Sequence, residues 1–172
     1  MADPGDELVE IVDVGGSVLD VVTRREMRAG DLRHRCTYVA VVTSAGELVV
    51  HQRADWKDVH PAYWDVAFGG VCGVGEGWLL SAQRELAEEA GITGVELEDL
   101  GGVTWGNIIV GRVFLACSDA ELTCPDGEVQ RVDRVAPGNL DRWLEGREVC
   151  LDSLDVVVPK LRARFVERGV GR

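Results

Sequence analysis

The chain has no apolar run near the roughly 20 residues needed to cross a membrane, so a membrane span is not expected. Cations are in deficit: 18 Lys and Arg face 30 Asp and Glu, a formal net charge of −12. That balance argues against duplex nucleic acid, whose binding is driven by Lys and Arg neutralising phosphates. A phosphate-bearing ligand would have to be met through a metal cation or a local basic cluster. Cysteine is scarce and scattered, with Cys36, Cys72, Cys117, Cys124 and Cys150 odd in number and without a C-x-x-C pair. Neither a disulfide framework nor a zinc site is indicated by that spacing. The N-terminus, Met1-Ala-Asp-Pro-Gly-Asp-Glu7, lacks the basic and apolar regions of a secretory signal, and a cytoplasmic location is expected.

What is present suits a soluble globular protein: 172 residues, 46% of them hydrophobic. Such a length fits one domain that buries about two-thirds of its unfolded surface. We expect a single domain over 1–172, with an N-terminal strand extension over about 1–35. Val- and Ile-rich runs bounded by turn signals predict strands at Leu8 to Val12, Val18 to Val22, Cys36 to Thr43, Glu47 to Arg53, Gly101 to Trp105, Asn107 to Ala116 and Val129 to Val135. Helical periodicity marks Gly77 to Ala90 and Ser153 to Arg168, the latter kinked or shortened by Pro159, and a short helix covers Gly138 to Leu144. Strands and helices alternate without a βαβ rhythm, which predicts an α/β (α+β) class with a mixed β-sheet sandwiched between helices.

One stretch carries chemistry: Gly70-Val-Cys-Gly-Val-Gly-Glu76-Gly-Trp-Leu-Leu-Ser-Ala-Gln-Arg84-Glu85-Leu86-Ala-Glu88-Glu89-Ala-Gly91-Ile92. It reads as a loop, a helix and a glycine stop. At ~100° per residue, Glu85, Glu88 and Glu89 share an arc of roughly 100°, and Leu79, Leu86 and Ala90 fall on the opposite side. Three carboxylates near a helix C-terminus oppose the macrodipole and repel one another. A hard divalent cation with oxygen ligands reverses that repulsion, and magnesium suits it best.

The stretch resembles the Nudix box, G-x5-E-x7-R-E-U-x-E-E-x-G-U, at every specified position. A chance match in a chain this long is on the order of one in a million with average residue usage. The resemblance implies that Glu85, Glu88 and Glu89 bind Mg2+ or Mn2+, helped by a backbone carbonyl near Gly69, and that Arg84 and Glu76 brace the helix against the loop. It implies a metal-dependent hydrolase that cleaves a diphosphate linkage in a small nucleoside-diphosphate-type substrate, often as a homodimer. Water attacks phosphorus, and a general base takes its proton; Glu85 comes first for that part and Glu128, in Pro125-Asp-Gly-Glu128, is the loop candidate. Arg53, Lys57 and Arg112 are the cations to examine for phosphate contact, and Trp56 for stacking on a base.

The N-terminal half, through Val21-Val-Thr-Arg24-Arg25-Glu26, Leu32-Arg-His34-Arg35 and Pro61-Ala-Tyr63-Trp64-Asp65, is similar to the isopentenyl-diphosphate isomerase branch of the same superfamily. An isomerase is therefore the alternative, and a non-catalytic nucleotide sensor a further one. In the ungapped alignment, Gly69 stands where the isomerase cysteine belongs and Val71 where a metal-binding histidine belongs. His34 and His51 read as structural residues, and Cys72 as a small buried thiol.

Overall fold

The computed structural model describes residues 3–57 and 59–167. Nine strands form the framework: β1 (Leu8–Val12), β2 (Val18–Thr23), β3 (His34–Val42), β4 (Leu48–Arg53), β5 (Trp64–Asp65), β6 (Phe68–Val71), β7 (Leu97–Trp105), β8 (Ile109–Cys117) and β9 (Val129–Val135). The α-helices are α1 (Arg24–Ala29), α2 (Trp78–Glu85), α3 (Leu140–Leu144) and α4 (Val158–Glu167). The expected Arg168 end of the last helix lies outside the described residues.

β3 organises the molecule. It runs parallel to β8 over nine residue pairs, from His34 opposite Ile109 to Val42 opposite Cys117, and antiparallel to β6 from Cys36–Val71 to Val39–Phe68. β4 pairs antiparallel with β9 and with β5, and β7 with β8. The sheet is therefore mixed, as its irregular spacing of strands and helices predicts.

Strand alternation puts β3 side chains into two cores. Tyr38, Ala40 and Val42 pack with Leu48, Val113, Trp143, Leu161 and Phe165, beneath α3 and α4. Val39 and Val41 pack with Phe68, Ala82, Leu86 and Ala90, beneath α2. Helices thus cover both faces, and each large apolar side chain buried here contributes about 2 kcal/mol by area.

Several local expectations need correction. The segment after β2 forms helix α1, because Thr23 and Glu26 make a reciprocal capping box: the Thr23 side chain accepts from the Glu26 N–H while Glu26 accepts from the Thr23 N–H. The box helix is α-helical only to Glu85; Leu86–Ala90 form a wider π-helical turn that ends at Gly91, left-handed at φ 72°. Leu79 does not join Leu86 and Ala90 in the core. It sits in the first turn of α2 and is 50% exposed. Toward the C-terminus a π-turn at Ser153–Val157 precedes α4, which begins one residue before Pro159, so that its missing N–H falls in the first turn. β7 starts four residues earlier than Gly101, and β6 emerges from the glycine-rich stretch where no strand is expected.

Candidate active site

A cleft of about 660 Å³ opens along β3 and β6. Gly69, Gly70, Glu85, Glu88 and Glu89 line it, together with Arg53, Lys57 and Glu128. Most of the residues singled out in the sequence are brought together there. Trp56 and Arg112 are not. Trp56 is 62% exposed with Lys57 near its ring, and Arg112 pairs with Asp99 through Nε at 2.8 Å on the β7–β8 ribbon; neither lines the cleft. Trp64 packs edge-on to Trp143 at 5.2 Å in the core.

The loop before α2 is tied down by charge. Arg84 donates from Nε to Glu76 Oε1 at 2.9 Å and from Nη2 to Glu76 Oε2 at 2.9 Å, a two-pronged geometry specific to guanidinium. Glu76 also accepts from the Gly73 N–H at 2.8 Å. The Arg84 pair holds the Glu76 carboxyl at about 2. Through Nη1, Arg84 reaches Glu85 Oε1 at 2.7 Å and Glu88 Oε2 at 3.0 Å, so one guanidinium orients three of the box acids. Glu10 of β1, absent from any sequence expectation, adds a second brace. It accepts from the Gly75 N–H at 2.8 Å and from Arg35 Nη2 at 2.7 Å, while Arg35 also donates to the Glu76 carbonyl. Its signal was unreadable in sequence, because Glu10 and Gly75 lie 65 residues apart.

The glutamates occupy unlike surroundings. Glu89 is only 6% exposed, and its Oε2 accepts from the Gly69 N–H at 2.9 Å. Burial pushes its carboxyl well above the ordinary value, and the charges of Glu85, Glu128 and Asp65 push the same way. Burial likewise raises Glu85, opposed by Arg84. The carboxylate oxygens of Glu89, Asp126 and Glu128 lie within 4.8 Å of one another. Asp126 was missed in the sequence, although it shares the Pro125-to-Glu128 turn; its side chain accepts from the Glu128 N–H at 2.9 Å and shapes that turn. Lys57 Nζ is ion-paired with Glu128. Arg53 Nη2 donates to the Val59 carbonyl at 3.1 Å.

Two glycines are required by close approach. A Cβ on Gly70 would sit 2.7 Å from Glu85 Oε2, and one on Gly69 would sit 2.0 Å from the Thr37 carbonyl oxygen. His34 begins β3 with Nδ1 2.9 Å from the Leu32 carbonyl. His51 is buried and stacked on Phe68 at 4.3 Å, and burial lowers it to about 3, so it stays neutral. Cys72 is buried.

An arginine-braced loop and helix that present a row of glutamates to a cleft can be compared with known proteins. Residues 32–152 match the family model of the NUDIX domain. The chain belongs to the Nudix family. Over 154 residues it is 36% identical to the uncharacterized Nudix hydrolase PA4841 of Pseudomonas aeruginosa, covering 88% of this chain and 91% of that protein. It is 34% identical over 134 residues to the uncharacterized Nudix hydrolase YfcD of Escherichia coli, covering 76% and 74%. An uncharacterized Nudix hydrolase of Yersinia pestis is 44% identical over 95 residues, 55% of this chain and 52% of that protein, so this match spans about half of that relative's length. The crystal structure of DR0079 from Deinococcus radiodurans superposes with a TM-score of 0.80 at 21% identity, over 91% of this chain and all of that one. The Nudix domain of Shewanella oneidensis NrtR, solved with ADP-ribose, superposes with a TM-score of 0.63 at 16% identity, over 84% of this chain and 99% of that one. At those identities the two structures establish the Nudix fold. With its hydrolase relatives the chain is a Nudix hydrolase, an enzyme of a family that works with divalent metal ions. Among the described residues no helix is long and apolar enough to cross a membrane.

Proposed function

We propose that this Nudix hydrolase splits the diphosphate linkage of a nucleoside-diphosphate-type substrate, with Mg2+ or Mn2+ held by Glu85, Glu88 and Glu89 and the backbone carbonyl near Gly69. The observation that carries the reading is the meeting of Glu85, Glu88, Glu89, Asp126 and Glu128 on one cleft whose rim also bears Arg53 and Lys57. The donor set fits such an ion: all side-chain donors are oxygens, and Gly70 leaves a space beside Glu85 that a Cβ would fill. A buried Glu89 whose neighbours are mostly other acids also fits a cation partner. When bound, the metal neutralises charge on the diphosphate oxygens and lowers the pKa of a water.

The chain's own residues do the rest. Glu85 lines the cleft beside Glu88 and Glu89, with Arg84 Nη1 2.7 Å from its Oε1, and stands first as general base. Glu128 is the other candidate, held over the cleft by Lys57. Arg84 and Glu76 fix the glutamates, and Arg53 and Lys57 meet the phosphate charge. That the NrtR domain was solved with ADP-ribose supports a diphosphate carrying a nucleoside as the ligand class. The isomerase alternative is disfavoured by Gly69: its Cβ would collide with the Thr37 carbonyl, so this backbone has no room for a catalytic cysteine there.

The reading is tested by incubating purified protein with nucleotide sugars, dinucleotides, nucleoside triphosphates and prenyl diphosphates, each with Mg2+ or Mn2+. Phosphate or monophosphate release is expected, with a loss of about 100-fold or more in Glu85→Gln and Glu89→Gln. Full activity in those variants would remove both residues from the site. Prenyl isomerisation without hydrolysis would favour the isomerase, and ligand stabilisation without turnover the sensor.

A further inference from the structure

The same cleft holds a second group of ligand-type side chains that shares no member with the glutamate cluster. His60 comes from the loop between β4 and β5, and Cys150 and Asp152 from the segment that leads into the C-terminal helix. One ring nitrogen, the thiol sulfur and one carboxylate oxygen lie within 4.8 Å of one another, and all three residues line the cleft. His60 lies 90 residues before Cys150, so no cysteine spacing announces the group.

The positions are built rather than incidental. Trp64 of β5 accepts from the Cys150 N–H at 2.9 Å and donates its own N–H to the Glu148 carbonyl at 2.8 Å, which docks the Cys150 segment against the strand that follows His60. Tyr38 Oη donates to Asp152 Oδ2 at 2.9 Å, the kind of outer hydrogen bond that orients a metal-binding carboxylate. The His60 ring stacks on Tyr63 with centroids 5.2 Å apart. Next to these groups, buried Asp65 adds further negative charge and accepts from Ser153 Oγ at 2.5 Å.

We propose that His60, Cys150 and Asp152 form a second metal site, selective for a borderline thiophilic ion of the Zn2+ type over Mg2+, with the fourth coordination position open to the cleft. A thiolate and an imidazole select Zn2+, whereas Mg2+ demands oxygen. Zn–S of about 2.3 Å and Zn–N or Zn–O of about 2.0 Å in a tetrahedron bring ligand atoms to roughly 3.5 Å apart, so the group must close by about 1 Å. Charge favours closure. The buried Asp65 carboxylate and Asp152 both line the cleft with the thiol. A dication there would meet two carboxylates and take the thiol as thiolate, its proton leaving to solvent. Three protein ligands and an open position leave room for water or a substrate donor. An ion there also ties the Lys57-bearing loop to the segment that enters α4.

The test uses the full chain stripped of metal, with Zn2+ alone titrated by calorimetry and Co2+ by absorption, so the outcome is independent of which substrate is hydrolysed. A Zn2+ site is expected whose affinity is unchanged in a Glu85→Gln/Glu89→Gln double variant, whatever the glutamate cluster itself binds. Affinity should drop about tenfold or more in His60→Ala, Cys150→Ser and Asp152→Asn. Co2+ should give a near-ultraviolet sulfur-to-cobalt band that Cys150→Ser abolishes. If Cys150→Ser does not fold, quenching of the wild-type band in His60→Ala decides the matter. Zn2+ binding that survives Cys150→Ser but is lost in the glutamate double variant overturns the proposal, as does the absence of a cobalt–sulfur band in the wild-type protein.

Discussion

At the scale of the residue, Glu89 carries the sharpest consequence. A carboxylate taken out of water beside other acids favours its protonated form, and here the single opposing contact is the Gly69 N–H. A raised pKa in the folded state means that the native protein binds more protons than the unfolded chain above the ordinary glutamate range of 4.5. Metal-free stability then falls as pH rises from that range through neutrality, and the contribution is fully present only below it. Glu89→Gln keeps an acceptor for Gly69 and removes the buried charge. Thermal melts in EDTA at pH 7 to 8 should show the variant melting above wild type, with the gap closing toward pH 4.5, even though its activity is lost. A lower melting temperature for Glu89→Gln at neutral pH would mean the ionised form is the stabilised one. Gly70 makes a complementary case. In Gly70→Ala the new Cβ has only 2.7 Å to Glu85 Oε2, so the carboxylate must move. We expect kcat to fall about tenfold or more with the melting temperature nearly unchanged, since no backbone strain accompanies the change; an unaltered kcat would show that Glu85 need not stand where it does.

At the scale of the element, α1 and the end of α2 are the instructive cases. α1 has six residues and could not persist alone. It exists because Thr23 and Glu26 cap it and because Met27 buries beneath it. Thr23→Ala should cost about 1 kcal/mol. As Arg24 and Arg28 of α1 line the cleft, KM should rise more than kcat falls in steady-state assays. A change in kcat alone would put α1 outside substrate binding. The capping pattern Thr23-x-x-Glu26 was readable in the sequence, yet the adjoining Val-rich run made the region look like a strand that simply ends. For α2, a uniform helical wheel places the glutamates opposite Leu79. The π-turn at Leu86–Ala90 changes the angle after Glu85, and so Glu89 points inward toward Gly69 while Glu88 remains over Arg84.

For the whole molecule, the cleft is a cooperative product of the fold: its acids include those of α2, the π-turn and the turn before β9, and its cations come from α1, α2, β4 and the loop beyond β4. The carboxylates of the cleft come together through the fold, so the proposed divalent ion would bind the native state alone and stabilise it by mass action. Adding Mg2+ to metal-stripped protein at about 100 times its dissociation constant should stabilise it by about 2.7 kcal/mol. The shift is read by differential scanning calorimetry and should shrink in Glu85→Gln. No shift at any Mg2+ concentration would argue that the acids do not act as one site.

The sequence alone determined what is local or strictly spaced. Val- and Ile-rich runs bounded by turn signals placed most strands, and the 3.6-residue pattern both longer helices, since these preferences act locally along the chain. The box placed Arg84, Glu76 and the three glutamates, because those contacts lie within 20 residues along the chain. Only the tertiary structure decided the rest. Glu10 under Gly75, Asp126 beside Glu89, and His60 near Cys150 and Asp152 are pairings between segments far apart in the chain. Such meetings depend on pairings between distant segments, among them β8 parallel on β3, β9 antiparallel on β4 and the Cys150 segment on Trp64, which no single segment encodes.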